Sequence, residues 1–450
     1  MSEATKQAAA KMAAAGQTED AIAAFTSALE RLQSGAKTLI PSAELEPAPD
    51  VPQLEQLGDG DAAAALSQVA VIKLNGGLAT SMGLQQPKSL LEARQGRTFL
   101  DVIVGRTLAL RRRYGVELPL VLMDSNVTRE PTLKALDAYP ELPVAGIDPD
   151  FLQSMVPKLE SETLQPVAWP ANPALEWCPP GHGDVYAALR GSGMLETLAS
   201  QGFRYAMISN ADNLGATVDP RIAAHVVANE IPFLMEVVRG TAADRKGGHI
   251  ARRKADGQLI LRETAQTPPE DADSFRDYKR WRYYNTNNLW VDLHALGERL
   301  ELPVILNEKT VDPRDPASTK VVQLESAMGA AIASFPGAAL LEVPRTRFVP
   351  VKTTDDLLVL RSDAYTLTDE FEVVARHPDA LPLVELSKDH YKLIDEFERR
   401  FPHGPPSLVD ASRFTVNGDV TFGAGVVVRG SVELDGSEPQ TIPAGATLGS

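Results

Sequence analysis

A glycine-rich turn after an apolar segment is the first place where this sequence indicates chemistry. The segment SQVAVI leads into KLNGGLATSMGLQQPKS, which contains Gly76, Gly77 and Gly83 among small hydroxylated residues. Glycine lets the backbone approach a ligand closely, so that successive N–H groups can point toward an anion. Lys88 follows a proline that restricts φ, and its ammonium could reach phosphates held by the turn. The pattern predicts a phosphate-binding loop, with a purely structural turn as the alternative.

This turn differs from two better-known phosphate motifs. It lacks the Gly-Lys-Ser/Thr sequence of a P-loop at the required spacing, and it does not have the GxGxxG spacing of a dinucleotide-binding fold. The sequence therefore predicts a phosphate site of another kind.

A histidine stands in an unusual backbone context further along the chain. The segment PPGHGD, from Pro179 to Asp184, surrounds His182 with two rigid and two flexible residues, which is typical of a group presented to a ligand. A lone histidine is more often a structural hydrogen-bonding residue. We interpret His182 as an orienting donor and not as a general base.

Two further charged residues each follow an apolar segment. Asp212, in SNADN after YAMI, should lie at the carboxyl end of a strand, where one carboxylate with phosphate oxygens and waters can hold Mg²⁺. A turn or helix-cap role is the alternative for Asp212. Lys88 and Lys352, the latter in FVPVKTTDDL, would then approach the bound phosphates from two sides. Surface lysines of an acidic chain are ordinarily only solvated, which is the alternative for both.

The surrounding segments predict the elements that position these residues. Short apolar strands (VAVIKL, LPLVLMDS, RYAMISNAD) alternate with a helix from about Thr98 to Tyr114 and a helix near REPTLKALDAY. Such alternation predicts an α/β fold with a mostly parallel sheet covered on both faces, and ligands at the carboxyl ends of its strands. We expect the first strand near Val69.

Composition changes along the chain predict three regions. Residues 1–60 form a helical segment, with helical spacing in AIAAFTSALERL, and a proline- and acid-rich linker from Pro41 to Asp61. Residues 61–370 form the α/β domain that carries the candidate site residues. Residues 371–450 contain a helix and the valine-rich segment RFTVNGDVTFGAGVVVRGSVELDG, which predicts two or three short parallel strands of a β-helix coil.

Overall composition excludes several classes of protein. The chain has 450 residues, 44% of them hydrophobic, which is enough for two or three cores. A net charge of −16 argues against a nucleic-acid partner, and the N-terminus lacks a secretory signal. No apolar run is long enough to span a membrane. The single Cys178 can form neither an intramolecular disulfide nor a thiolate metal site. We expect a cytoplasmic protein without a membrane partner.

Several motifs together resemble a known family. KLNGGLATSMGLQQPKS is similar to the signature of eukaryotic-type UDP-glucose pyrophosphorylases, and the similarity continues in order through FLQSMVPKL, WCPPGHGDVYAAL, SNADNLGATVD, YYNTNNLWV and VPRTRFVPVKTTDDLLVL. It covers about Val69 to Tyr365. One departure is Ala79, where the family usually has glycine. A methyl group there is compatible with a negative φ and would distort the loop at a positive φ.

The resemblance implies a Rossmann-like fold of the nucleotidyltransferase A type, with a mixed, mostly parallel sheet flanked by helices and a short C-terminal left-handed β-helix-like segment. It implies catalytic roles for Lys88 and Lys352 and a Mg²⁺ ligand at Asp212. The implied uridine contacts are Leu74, Gly76, Gly77, Met123, Gln153, Pro180 and Gly181. The implied sugar and sugar-phosphate contacts are His182, Asn210, Glu263, Asn285 and Asn287, and the segment from Lys246 to Ile250 could add backbone contacts.

The implied reaction joins UTP and glucose 1-phosphate to give UDP-glucose and pyrophosphate, reversibly. The sugar phosphate attacks the α-phosphorus in line, and positioning and charge neutralisation carry the rate, because the nucleophile is already ionised near pH 7. Two alternatives stay open: a pyrophosphorylase of broader UDP-sugar or UDP-N-acetylhexosamine specificity, and a non-catalytic nucleotide-sugar-binding scaffold. The C-terminal segment is a candidate surface for a homo-oligomer.

Overall fold

The fold was described from a computed structural model that covers residues 1–241, 244, 247–297, 299–378, 380–436 and 438–450, without the side chain of Ser81. The α-helices are α1 (Glu3–Ala14), α2 (Glu19–Gln33), α3 (Ala62–Leu66), α4 (Phe99–Tyr114), α5 (Arg129–Leu136), α6 (Val185–Gly191), α7 (Met194–Ser200), α8 (Pro220–Ala228), α9 (Ala272–Phe275), α10 (Thr354–Arg361), α11 (Lys388–Tyr391) and α12 (Ile394–Arg400).

The strands up to the middle of the chain are β1 (Leu45–Pro47), β2 (Val69–Leu74), β3 (Glu92–Arg94), β4 (Arg97–Thr98), β5 (Leu120–Asp124), β6 (Asp150–Leu152), β7 (Val156–Pro157), β8 (Leu159–Glu160), β9 (Trp177–Cys178), β10 (Tyr205–Asn210), β11 (Phe233–Arg239), β12 (His249–Arg253) and β13 (Leu259–Arg262). The later strands are β14 (Tyr283–Asp292), β15 (Ile305–Thr310), β16 (Lys320–Glu325), β17 (Ala339–Glu342), β18 (Tyr365–Leu367), β19 (Val373–Ala375), β20 (Leu383–Leu386), β21 (Ala411–Val416), β22 (Val420–Phe422), β23 (Val427–Val428), β24 (Gly430–Leu434), β25 (Gln440–Ile442) and β26 (Thr447–Leu448).

The helix predicted from about Thr98 to Tyr114 is confirmed as α4. Its first turn is a capping box, in which Asp101 N–H donates to Thr98 Oγ1 at 3.1 Å and Thr98 N–H donates to the Asp101 carboxylate at 2.7 Å. Gly115, at φ 65°, ends the helix in the left-handed conformation that glycine favours. The predicted strands at β2, β5 and β10 and the helix at α5 are also confirmed.

The central sheet is mixed, in the order β1-β12-β14-β10-β2-β5-β6, with β11 pairing β14 and β17, and β13 pairing β12. The prediction of a mostly parallel sheet is wrong. In the described part of the chain the pairs β2–β10, β2–β5, β5–β6 and β11–β17 are parallel, whereas β1–β12, β12–β13, β12–β14, β10–β14 and β11–β14 are antiparallel. Helices alternate with strands only in the first half, and the later strands fold back on one another. The α/β class itself is confirmed.

The expectation that strands begin near Val69 is also wrong. The linker contains β1, which pairs antiparallel with β12 at the edge of the central sheet, so that Leu45 lies beside Arg253. Leu45 is buried with Ala251 and Trp281. The strand β1 has only three residues and ends in proline, so it is too short to show the alternation of apolar and polar residues by which a strand is recognised. Proline is tolerated there because β1 lies at the edge of the sheet.

The predicted N-terminal helical segment is present as α1 and α2, and these helices pack on the body of the protein. Met12, Phe25 and Leu29 are buried against Leu159 of β8 and Leu324 of β16. Lys11 also donates to the Glu176 carboxylate at 2.5 Å. None of the described helices is long and apolar enough to cross a membrane.

The C-terminal region consists of short parallel ladders. The strand β21 pairs in parallel with β20 and β24, β22 with β25, and β23 with β26. Inside this region Phe414 and Phe422 pack edge to face, and Phe422 stacks on Phe401 at 4.9 Å between ring centroids. One apolar cluster joins these residues to the β2 face of the central sheet. The division at residues 60 and 370 therefore stays a prediction.

Candidate active site

The carboxyl ends of the parallel strands bring several predicted ligand residues to one edge of the sheet. Asn210, the last residue of β10, lies beside Leu74, the last residue of β2. Leu74 in turn lies beside Met123 of β5. Gln153 directly follows β6, and its N–H donates to the backbone oxygen of Asp124 at 2.7 Å. Because parallel strands end at the same edge, these residues form one continuous wall.

The glycine turn closes this wall. A Cβ at Gly76 would lie 2.5 Å from Gln153 Oε1, so that glycine is needed for the amide to reach the turn, whereas a Cβ at Gly77 would meet nothing within 4 Å. Gln153 Nε2 donates to the carbonyl of Gly181 at 3.2 Å. This bond fixes the orientation of the amide and leaves Oε1 toward the turn. The predicted uridine contacts, including Pro180 beside Gly181, therefore meet in one place.

A buried polar network supports the turn from behind, and sequence reasoning did not find it. Asn75 Nδ2 donates to Asp124 Oδ1 at 2.7 Å and to Thr132 Oγ1 at 3.0 Å, and Ser125 Oγ donates to the carbonyl of Gly76 at 3.0 Å. Burial raises the pKa of Asp124 to about 6, against the opposing effect of hydrogen bonds from Asn75 and Thr128. The only sequence signal was the position of Asp124 at a strand end.

The backbone of the turn resolves the question raised by Ala79. Its φ is −79° and the residue is fully buried, so the methyl group lies in an ordinary conformation and fills the loop interior. Gly83 is the loop residue with a positive φ, at 82°, and the side chain of Leu393 covers it. The departure from the family pattern is therefore compatible with the loop.

Lys88 and Asp212 form an ion pair, with 2.7 Å between Nζ and Oδ2. Lys88 N–H also donates to the carbonyl of Gly77 at 3.2 Å, which ties the lysine to the glycine turn. Both side chains are about four-fifths buried, at 17% and 21% relative exposure, so the pair lies inside the cleft and not on the outer surface. Asp212 Oδ1 is buried without a hydrogen-bond partner in the described part of the chain.

The segment that carries Lys352 is attached to the same loop. Val351 N–H donates to the backbone oxygen of Asp212 at 3.1 Å, and Val349 N–H donates to Asn213 Oδ1 at 3.0 Å. Lys352 then precedes α10, and its own N–H donates to Asp356 Oδ2 at 2.7 Å. Lys88, Asp212 and Lys352 are thus brought together in one cleft.

His182 is held in a defined protonation state. Met328 N–H donates to His182 Nδ1 at 3.0 Å, so Nδ1 is an acceptor and the proton of the neutral ring lies on Nε2. Burial, with a smaller contribution from the positive charge of Lys352, lowers the pKa of His182 to about 4. The neutral imidazole can therefore only donate from Nε2 at ordinary pH.

The predicted sugar contacts form the other side of the cleft. Asn285 Nδ2 donates to Asn287 Oδ1 at 2.8 Å, and Asn287 has a positive φ of 58°. A Cβ at Gly248 would lie 2.6 Å from the Glu263 carboxylate. Burial raises the pKa of Glu263, and the charge of Lys352 opposes this shift. Lys246, where the predicted backbone contacts begin, lies outside the described residues.

A divalent cation fits one position in this cleft. No group of three or more His, Cys, Asp or Glu side chains with metal-site geometry occurs in the ranges that the structure covers. The buried, unpartnered Oδ1 of Asp212 is a hard oxygen donor beside the ends of the parallel strands. Mg²⁺ commonly takes one protein carboxylate and completes its shell with waters and phosphate oxygens, and this donor suits that pattern.

The comparisons with known proteins agree with this class of site, a nucleotide cleft at the carboxyl ends of parallel strands. A family model described as UTP–glucose-1-phosphate uridylyltransferase matches residues 22–429. The chain belongs to the UTP–glucose-1-phosphate uridylyltransferase family, and the resemblance inferred from the motifs is confirmed.

Individual relatives give the same result. The UTP–glucose-1-phosphate uridylyltransferase of Solanum tuberosum is 42% identical over 374 residues, which are 82% of this chain and 77% of the relative. A variant of the UDP-glucose pyrophosphorylase of Leishmania major, crystallised in complex with UDP-glucose, is 45% identical, with a TM-score of 0.93 over 99% of this chain and 98% of that chain. A structure from Trypanosoma brucei is 42% identical, with a TM-score of 0.90 over 99% of this chain and 98% of that chain.

Proposed function

We propose that this protein catalyses the reversible formation of UDP-glucose and pyrophosphate from UTP and glucose 1-phosphate. The observation that carries the proposal is the cleft in which the Lys88–Asp212 pair adjoins the Lys352 segment at the ends of the parallel strands. The UDP-glucose pyrophosphorylase of Leishmania major, which resembles this chain, was crystallised with UDP-glucose. The uridine would lie along Leu74, Gly76, Gly77, Met123, Gln153, Pro180 and Gly181.

The amide of Gln153 supports a preference for uracil. Because Nε2 is engaged by the carbonyl of Gly181, Oε1 is left to accept from a base N–H. Uracil N3 carries such a hydrogen, whereas N3 of cytosine is itself an acceptor. The base would then be selected by hydrogen-bond polarity and not by size alone.

Polar and neutral side chains suit the hexose. Asn210, Asn285, Asn287 and Glu263 would pair with vicinal hydroxyl groups, whose donors and acceptors match amides and carboxylates. His182, neutral and with its proton on Nε2, would donate to the sugar phosphate without adding or removing a proton.

Charge neutralisation would then carry the reaction. An oxygen of glucose 1-phosphate attacks the α-phosphorus of UTP in line, the bond to the bridging oxygen breaks, and pyrophosphate leaves. Lys88 and Lys352 would stabilise the negative charge on the phosphoryl groups from two sides. Asp212 would hold Mg²⁺, which when bound supplies further neutralisation of the phosphates.

A release assay tests the proposal. Pyrophosphate formation is measured with UTP, Mg²⁺ and glucose 1-phosphate, and compared with other nucleoside triphosphates, N-acetylhexosamine phosphates and other sugar phosphates. We expect UTP and glucose 1-phosphate to be preferred by kcat/KM. Comparable rates with several sugar phosphates would favour the broader pyrophosphorylase, and tight UDP-glucose binding without release would favour the non-catalytic scaffold.

The C-terminal ladders support two further parts of the proposal. Their parallel stacking is compatible with a short left-handed β-helix-like coil, and β24, β25 and β26 form its last layer, at the outer end of the ladders. A second copy of the chain could add to this layer and form a homo-oligomer.

The single cysteine of the sequence cannot form an intramolecular disulfide, which suits a cytoplasmic location, and we also propose this location.

A further inference from the structure

Two buried cations hold neighbouring carbonyl groups of the loop that carries Asp212. Lys73 Nζ donates to the carbonyl of Ala216 at 2.6 Å, and Arg347 Nη2 donates to the carbonyl of Thr217 at 2.8 Å. Lys73 is 3% exposed and Arg347 is 7% exposed. The loop that follows β10 is therefore fixed from below at two consecutive peptide groups.

Lys73 also attaches this loop to the central sheet. It lies on β2 beside Ser209 of β10, and Nζ donates to Ser209 Oγ at 2.7 Å. The one ammonium group thus joins the end of a strand to the far side of the loop, with Asp212 between its two attachment points. Burial, with a smaller contribution from the charge of Arg347, lowers the pKa of Lys73 to about 7 against the opposing effect of the Glu236 and Asp212 carboxylates.

Glu236 is the buried counter-ion of Arg347. Its two carboxylate oxygens accept from Arg347 Nε and Nη2, each at 2.7 Å, and Oε1 also accepts from Trp290 Nε1 at 2.9 Å. A planar, bidentate pair of this kind fixes the guanidinium in one orientation. Glu236 is itself fully buried, so the pair has little freedom to rearrange.

The same arginine fixes the segment that ends at Lys352. The carbonyl of Arg347 accepts from Asn213 Nδ2 and from Asn288 Nδ2, each at 3.1 Å. Two residues further on, Val349 N–H donates back to Asn213 Oδ1 at 3.0 Å. The Asp212 loop and the Lys352 segment are therefore bonded into one rigid unit by side chains that lie below the cleft.

We propose that Lys73 and Arg347 are positioning residues, which set the location of the Asp212 carboxylate and of Lys352 relative to a bound polyphosphate. The inference rests on the proposed function. Burying an ammonium group costs desolvation energy that its hydrogen bonds to Ser209 and Ala216 offset only in part, so a buried lysine is weak evidence of a net contribution to stability. A lysine at position 73 is therefore better explained by the position that it imposes on the loop than by a contribution to stability.

The test compares Lys73→Met with Lys158→Met. Lys158 is also a buried lysine, at 6% exposure, and its Nζ donates to the carbonyl of Val311 at 3.0 Å in a different part of the fold. Each variant loses a buried ammonium and its bonds, so any general effect of the substitution appears in both. Kinetic constants, melting temperatures and the Kd of UTP with and without Mg²⁺ are measured for each.

We expect Lys73→Met to lower kcat by ~10- to 100-fold and to weaken binding of UTP in the presence of Mg²⁺ by ~10-fold, as is usual when a residue that orients a ligand is lost. Binding of UTP without Mg²⁺ should change less than about twofold, because the uridine wall is intact. Lys158→Met should leave all of these constants within about twofold of the parent protein.

Equal effects of the two variants, or a loss of UTP binding that is the same with and without Mg²⁺, would overturn the inference. If Lys73→Met does not fold, Ser209→Ala removes one of the two bonds and keeps the lysine, and it should lower kcat by ~3- to 10-fold in a protein that stays folded at the assay temperature. An unchanged kcat in Ser209→Ala would then overturn it. A parent protein that releases no pyrophosphate would instead contradict the proposed function.

Discussion

At the scale of single residues, burial and hydrogen bonding decide which protonation state each group of the cleft has. The Met328 N–H bond assigns the His182 proton to Nε2, and desolvation keeps the ring neutral. The ring can therefore donate to an anion but cannot accept a proton from the attacking group at ordinary pH. This agrees with a reaction whose nucleophile is already an anion.

The buried state of His182 has a consequence for stability. Its folded-state pKa of about 4 lies below the ordinary value of 6.5, so between these values the unfolded chain binds a proton that the folded chain does not. This contribution to the free energy of unfolding is present above pH 6.5 and is lost as the pH falls toward 4. Relative to His182→Gln, we expect the parent to lose about 3 kcal/mol over this range.

Denaturant unfolding at a series of pH values measures this difference, since titrations shared by both proteins cancel. The exposed His403 supplies a control variant, His403→Gln, for the substitution itself. A difference between parent and His182→Gln that does not depend on pH would mean that His182 is not held neutral by the fold.

The Lys88–Asp212 pair leads to a prediction about activity. In Lys88→Ala the cleft loses a cation that would face the phosphates, and we expect kcat/KM to fall by ~10²- to 10³-fold. The fold should remain, because the pair lies in the cleft and not in the apolar core. The control is Lys134→Ala, at an exposed position in the last turn of α5. Near-parental kcat/KM in Lys88→Ala, measured by pyrophosphate release, would exclude Lys88 from the reaction.

Sequence reasoning reached the residues that line the cleft but not those that hold them. Asp212 and Lys352 each follow an apolar segment, and Lys88 follows a glycine-rich turn and a proline, so all three can be recognised without coordinates. Glu236 and Lys73 lie within apolar strands, where a charged residue has no local signal of its partner. Their roles depend on Arg347, which is distant in sequence, and only the fold brings the three together.

At the scale of elements, one backbone position controls the loop of His182. Gly181 has a φ of 81°, and a Cβ there would lie 2.5 Å from the carbonyl oxygen of Ser326. Gly193, at φ 78°, has the same conformation, but a Cβ there would meet nothing within 4 Å. The two glycines therefore share the conformational requirement and differ in the space available.

These two positions make a matched pair of alanine variants. Both should lose about 1 kcal/mol of stability, because each places a side chain at a positive φ. Only Gly181→Ala must also push the loop away from Ser326, and we expect its kcat/KM to fall by at least ~10-fold, because small displacements of positioned groups are costly. Gly193→Ala should retain parental kcat/KM. Equal kinetic effects would show that the left-handed backbone matters and the contact with Ser326 does not.

The elements also show where sequence patterns succeed. The strands β2, β5 and β10 are short, apolar and separated by helices, and α4 carries its own capping signals, so each is determined locally. The antiparallel half of the sheet is not determined by such local sequence patterns. The strands β11 and β12 both pair with β14, which follows β12 in the chain only after β13 and α9, so this pairing depends on which strands lie next to each other in space. Short edge strands such as β1 have no local pattern at all.

At the scale of the whole molecule, the C-terminal region supports the helix that follows Lys352. Thr354 Oγ1, in the first turn of α10, donates to the carbonyl of Tyr391 at 2.7 Å, and Leu386 N–H donates to Asp355 Oδ1 at 2.7 Å. Leu393, from the same turn as Tyr391, covers Gly83 of the glycine loop. Both lysine-bearing loops are thus supported by residues 386–393.

Two truncations test this support. A chain that ends at Pro405 loses Phe414 and Phe422, which pack with Phe401, and we expect a lower melting temperature and little activity, because aromatic truncations in a core are among the most destabilising. A chain that ends at Gly436 keeps these rings and should stay folded and active. Light scattering on full-length and Gly436-ended chains tests the proposed homo-oligomer, and an unchanged mass would refute assembly through β25 and β26. Full activity in the Pro405-ended chain would contradict the supporting role.

The attachment of α10 to Tyr391 also bears on how the protein is made. The glycine turn emerges from the ribosome before Lys352. The residues of the C-terminal region that contact α10, such as Tyr391, emerge after Lys352. The residues proposed to line the uridine all precede His182 in the chain, whereas Lys352 and the residues that support α10 lie far beyond it. We expect a chain that ends before residue 386 to turn over no substrate, because α10 and the adjoining Lys352 then lack the contacts from Leu386 and Tyr391.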